Sequence, residues 1–180
     1  MGSPKQLLLI DGRPMLERVV EQANASKLDS VVVVLGASAD EIRPRVNFGR
    51  ARIFFNPNHA AGMASSLRAG LTYLSEGVDR IVVMLGDQPH VDASLVDQLL
   101  TLQETSGLPA AAVSFNGLLH PPVVLERELW GDLMTLEGDV GCRAVIRARP
   151  ELVAKLPAPG DLIHPIDVDT PEDYARILSG

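Results

Sequence analysis

Cysteine, basic charge and long apolar runs are all scarce in this chain, and each scarcity removes a class of function. Cys142 is the only cysteine, so no internal disulfide can form and a reducing compartment fits. The formal net charge is −7, from 16 Lys and Arg against 23 Asp and Glu. This balance argues against nucleic acid as a main partner, because holding a phosphate backbone requires basic patches. It still admits a small phosphorylated ligand, since a few local cations or one metal ion reverse the sign of a site. The apolar runs stop at the length of VVVVL (31–35), far short of the roughly 20 residues of a membrane span. No charged start leads into an apolar stretch, so no secretory signal is expected. The expected setting is cytoplasmic, without membrane or nucleic-acid partners.

Several catalytic signatures are missing as well. There is no GxxxxGK[ST] and no GxGxxG after a strand, which removes P-loop NTPases and the usual dinucleotide fingerprint; GxSxG and HExxH are also absent. His59, His90, His120 and His164 are widely separated. None has a partner at helical ligand spacing, so they read as surface or turn residues rather than zinc ligands.

What the chain does have is a strand–helix rhythm. DSVVVVLGA (29–37), ARIFFNP (51–57) and DRIVVMLGD (79–87) are β-branched runs with polar ends, the pattern of strands covered on both faces. PMLERVVEQA carries Leu16, Val19, Val20 and Ala23 as one helical stripe, and SSLRAGLTYL repeats the pattern with Leu67, Leu71 and Leu74. DASLVDQLLTLQ predicts a helix with Asp92 as N-cap. AAAVSF (110–115) and PPVVLE (121–126) predict a hairpin or meander, GDVGCRAVIRA (138–148) a helix, and LIHPIDV (162–168) a last strand. TPEDYARIL predicts a closing helix capped by Thr170. The 180 residues contain no repeat or linker. One α/β domain (1–180) is expected, with a mainly parallel sheet and helices on both faces.

Ligands bind outside the carboxyl ends of strands in such sheets. Three polar segments fall there. NPNHAAGMASSLRAG (56–70) places two serines at a helix start, where free N–H groups favour an anion or a polar ring edge. GDQP (86–89) ends an apolar strand on Asp87, which by itself reads equally well as a turn residue. IDVDTPED (166–173) puts Asp167 and Asp169 on one side of an extended segment, although Asp169 is also explained by helix capping. Were Asp87 to meet one of these carboxylates at 4–5 Å, the repulsion of roughly 3–4 kcal/mol would call for a cation. An all-oxygen site suggests Mg²⁺ with a phosphate ligand.

NPNHAAGMASSLRAGL, VVMLGDQPHV, the HPPVVL–GDVGCR pair and IDVDTPEDY together resemble the MobA-like nucleotidyltransferase family, in its molybdenum cofactor cytidylyltransferase branch, in order and spacing over essentially the whole chain. The resemblance implies a Rossmann-like fold of the GT-A type. It implies transfer of a nucleotide monophosphate from an NTP, CTP rather than GTP, to the terminal phosphate of a molybdopterin-type cofactor, with Mg²⁺ and release of pyrophosphate. A molybdoenzyme is the implied downstream partner. Asp87 matches the metal-binding aspartate, with Asp167 its expected second ligand and Asp169 the reserve. Gly2 and Lys5 match what remains of the phosphate-binding segment, with Lys5 expected to assist Asp87 in catalysis. Gly62, Ser65, Ser66 and Gln88 match the nucleotide side; His120, Pro121, Gly138, Asp139 and Arg143 match the acceptor side.

Two departures matter. MGSPKQLLLIDGRP begins at the last residues of the family's LAAGxSxR–MGxPK region, so the first strand of the sheet is expected to be missing, with QLLLI (6–10) free to be redeployed. Leu119 stands where the family has a glycine before His-Pro, which puts the acceptor's identity in question.

Overall fold

The computed structural model describes residues 4–74, 76–158 and 170–178. A 3-10 turn (Lys5–Leu7) leads into a small antiparallel hairpin of β1 (Leu9–Ile10) and β2 (Arg13–Pro14). Helix α1 (Met15–Ala25) follows, and the predicted stripe of Leu16, Val19, Val20 and Ala23 is buried along its length. Strand β3 (Val32–Leu35) runs parallel to β4 (Arg52–Phe55) across the short α2 (Ala39–Ile42). Next come α3 (Met63–Tyr73), β5 (Arg80–Val83) and α4 (Ala93–Ser106). The Asp92 carboxylate accepts the Leu95 N–H at 2.7 Å at the start of α4, and Gly107 closes it in the left-handed conformation, φ +67°.

The four-stranded sheet keeps three strands in one direction and reverses one. β6 (Ala110–Phe115) and β7 (Leu118–Glu126) form the expected hairpin, closed by Asn116 and Gly117, both at positive φ. Such a two-residue turn matches the twist of paired strands. After α5 (Trp130–Met134) and α6 (Arg143–Ala148), β8 (Val153–Pro157) adds parallel to β6, giving the order β5-β7-β6-β8. β7 opposes both β5 and β6, so β5, β6 and β8 share one direction. Helix α6 starts at Arg143, not at 138, because Gly138 takes a left-handed turn, φ +62°. Helix α7 (Pro171–Leu178) begins as predicted: the Thr170 hydroxyl accepts the Asp173 N–H at 3.1 Å and the Asp173 carboxylate accepts the Thr170 N–H at 3.0 Å.

Alternation along the strands splits the core in two. Ala110, Ala112, Val123 and Leu125 pack with Leu133, Val145 and Ile146 of α5 and α6. Ala111, Val113, Val124 and Ala154 pack with Val96 and Leu99 of α4. The β3–β4 pair is held separately, by Leu16, Val20, Leu35, Ile42 and Phe48.

β3 pairs only with β4, and β5 only with β7, among the described residues. Between their other edges lies a cavity of about 1370 Å³, lined by Val32–Leu35 and Ile81–Met84 and by side chains of α1 and α3. This explains a departure from expectation. Only Leu35 of β3 is fully buried, and no residue of β5 is, although both strands are apolar enough for a core. Residues 6–10 do not fill the space as a strand; they form the initial turn and the hairpin.

Candidate active site

The shared direction of β5 and β6 brings their carboxyl ends to one side of the sheet, together with the start of β7. Val83 lies opposite Val123, so the chain leaving β5 toward Asp87 runs beside Pro121. Gly86 lies close beneath α1: a Cβ on it would be 3.0 Å from Leu16 Cδ1. The strand end thus passes under α1, and Asp87 emerges next to the N-terminal turn.

There the Lys5 ammonium meets the Asp87 carboxylate at 2.5 Å, with the two side chains 32% and 15% exposed. An ion pair this close, partly withdrawn from water, fixes both groups at the mouth of the large cavity. Lys5, Asp87, Ser66, Pro121, Asp139 and Arg143 all line that cavity. The structure therefore brings one representative of each expected role to a common space.

The start of α3 differs from expectation. Its N–H groups are not free for an anion: Met63 donates to the Asp139 carboxylate at 3.3 Å and Ala64 to the Gly138 carbonyl at 3.0 Å. The Gly138–Asp139 segment already supplies the acceptors, including a negative charge, that a helix N-terminus attracts. Ser65 is buried, and its hydroxyl donates to the Gly62 carbonyl at 2.8 Å. Ser66 is the serine that faces the cavity.

Both serines are held by a residue that sequence reasoning did not single out. Asn56, 2% exposed, donates from Nδ2 to Ser65 Oγ at 2.9 Å and to Ser66 Oγ at 3.1 Å. Its Oδ1 accepts the Asn58 N–H at 2.9 Å. The available signal was its position, directly after the apolar RIFF of β4.

The remaining expected residues are placed as follows. Gln88 is buried and Pro121 fully buried. His120 and Arg143 are half-buried, the latter opening α6, while Gly138 and Asp139 are exposed. Gly2, Asp167 and Asp169 lie outside the described residues. Cys142 sits inside the wall beside Arg143, where burial pushes its thiol up to about 12 although the Arg143 charge pulls the other way.

No group of three potential metal ligands occurs among the described residues. Mg²⁺ in phosphate-transfer sites is commonly held by one or two carboxylates plus the substrate's own phosphates. The Asp87 carboxylate fits as one such ligand once the Lys5 ammonium, now 2.5 Å from it, turns aside.

A family profile described as MobA-like NTP transferase domain matches residues 1–153. Nicotine blue oxidoreductase of Paenarthrobacter nicotinovorans is 32% identical over 97% of this chain and 88% of its own length. The manganese complex of Rv0371C from Mycobacterium tuberculosis H37Rv superimposes with a TM-score of 0.85 at 26% identity, over 99% of this chain and 94% of that one. A nucleotidyl transferase from Methanothermobacter thermautotroptrophicus, Mth528, shares the fold with a TM-score of 0.80 at 21% identity, over 97% of this chain and 83% of that one.

Proposed function

This chain belongs to the MobA-like NTP transferase family and is a nucleotidyltransferase, and from that premise we propose that it moves a nucleotide monophosphate from CTP, in preference to GTP, to the terminal phosphate of a molybdopterin-type acceptor. The observation that carries the reading is the Lys5–Asp87 pair at a cavity that also receives Ser66, Pro121 and Arg143.

An acceptor phosphate oxygen forms a bond to the α-phosphorus of the NTP, the bond from that phosphorus to the bridging oxygen breaks, and pyrophosphate leaves. The acceptor brings its own nucleophile, so the protein's work is alignment and charge neutralisation. Asp87 would hold Mg²⁺, whose chemistry when bound is neutralisation of the triphosphate and of the charge that develops on the departing pyrophosphate. Asp167 and Asp169 are the proposed further carboxylates. Lys5 keeps the Asp87 carboxylate neutralised before the nucleotide arrives, and once released is placed to pair with a phosphate. Gly2 and Gln88 are proposed for the nucleotide side, the Gly62–Ser66 turn for the base or ribose. His120, Pro121 and the Gly138–Arg143 stretch flank the acceptor.

Calorimetric titration of CTP and GTP, each with and without Mg²⁺, tests the donor, and pyrophosphate release tests the chemistry. Asp87→Asn is expected to retain the fold and lower turnover by at least about a hundredfold, the scale of losing one preorganised electrostatic group. Full turnover in that variant would refute the assignment. A sugar-phosphate acceptor gives the same outcome for Asp87, and a panel of acceptor phosphates separates it. In a module that only delivers a cofactor to a molybdoenzyme, Asp87→Asn would leave partner binding intact.

A further inference from the structure

We propose that Arg147 and Lys155 form a second anion-binding subsite, which reads an acidic group on the acceptor beyond the phosphate that reacts. The proposal rests on the transferase reading for its biological meaning, but not for its test.

The two residues line a separate cleft of about 500 Å³ with Gly117, Leu118, Leu119 and Pro150. Arg147 also lines the large cavity that contains Asp87 and Arg143. The two spaces therefore adjoin at this side chain. Arg143 and Arg147 are one helical turn apart on α6, so they stand on the same face of the helix. Lys155 comes from β8, in register with Ala112. The result is a track of cations that leads from the proposed reaction centre to the outer cleft.

Pairing statistics make the track notable. Acids outnumber cations 23 to 16 in this chain, and nearby Arg149 is taken up by Asp132. The side chains of Arg147 and Lys155, both exposed, have no hydrogen bond or ion pair among the described residues. Two cations on the wall of one cleft can both face a single bound anion. The rest of the lining is apolar, and Leu118 is 53% exposed on the hairpin tip. An anion on a partly apolar organic body suits both features. A bare inorganic ion would leave Leu118 and Pro150 uncovered.

Phenyl phosphate and 4-carboxyphenyl phosphate share an apolar body and differ by one carboxylate. Calorimetry without nucleotide should give 4-carboxyphenyl phosphate about tenfold tighter binding to the full chain, the scale of a charge-assisted contact. Arg147→Ala and Lys155→Ala should each remove most of that difference, and Lys155→Ala should leave CTP affinity unchanged. Arg45→Ala, an equal charge change elsewhere, should preserve it. Equal affinities for the two probes, no binding of either, or a difference that survives in the double variant would overturn the proposal. Because no nucleotide enters the assay, failure of the transferase reading would register separately, as absence of pyrophosphate release.

Discussion

Gly62→Ala should be among the most damaging single-methyl additions available to this protein. Gly62 has φ +89° and ψ −179°, a region populated almost only by glycine and costing other residues about 1–3 kcal/mol. Its Cβ would also lie 2.4 Å from the Gly138 carbonyl carbon and oxygen and 2.8 Å from the Asp139 nitrogen. These neighbours are backbone atoms, so they cannot yield by a rotamer change. The 138–139 segment must withdraw, and the Ala64–Gly138 and Met63–Asp139 hydrogen bonds go with it. Their loss adds about 1–3 kcal/mol together. The sum is about 2–6 kcal/mol, or roughly 5–15 °C in Tm for a domain of this size. Gly138→Ala supplies the internal control: its φ is +62°, but nothing lies within 4 Å of an added Cβ, so about 1–2 kcal/mol is expected from backbone strain alone. Urea unfolding followed by circular dichroism measures both. If Gly62→Ala is no worse than Gly138→Ala, the close approach of the two loops is not what Gly62 provides.

Asn56→Ala should cost about 2–3 kcal/mol in urea unfolding, because it removes buried hydrogen bonds to Ser65, Ser66 and Asn58 together; a loss below about 0.5 kcal/mol would show that the Asn56 network does not hold the serines. Cys142, with its thiol pushed up to about 12, should resist iodoacetamide at pH 8 in the native protein and react fully in denaturant; equal rates in both states would contradict its burial. His90, although exposed on one side, is held below the usual imidazole range by partial desolvation first and by Arg18 second, so the unfolded state binds its proton more readily. Stability from this residue is therefore complete above the unfolded pKa of about 6.5 and declines as pH falls through it. His90→Asn should flatten the melting temperature between pH 7 and pH 5, and an unchanged slope would assign the pH dependence to other groups.

The sequence by itself determined the elements whose stability is local. Periodicity located α1 and the buried face of Leu16, Val19, Val20 and Ala23. Cap chemistry located the starts of α4 at Asp92 and α7 at Thr170. β-branched runs ending in Asn56 and Gly86–Asp87 located the strands and the side of the sheet on which polar groups collect. These features depend on residues within one or two turns of each other, so a linear pattern carries them. Tertiary structure decided what depends on contacts distant in sequence. The reversal of β7 between β5 and β6 made the sheet mixed, and β3 and β5 flank a cavity, so that Val33, Ile81, Val82 and Val83 pack against the cores only partly buried. Asp139, 76 residues from Met63, satisfies the helix start that the sequence left open for an anion. Lys5 reaches Asp87, and Arg147 and Lys155 line one cleft, only because folding brings their elements together. A chain shows which groups it carries and where local geometry would present them; whether a donor is free, or a charge neutralised, is set by the partner that folding delivers.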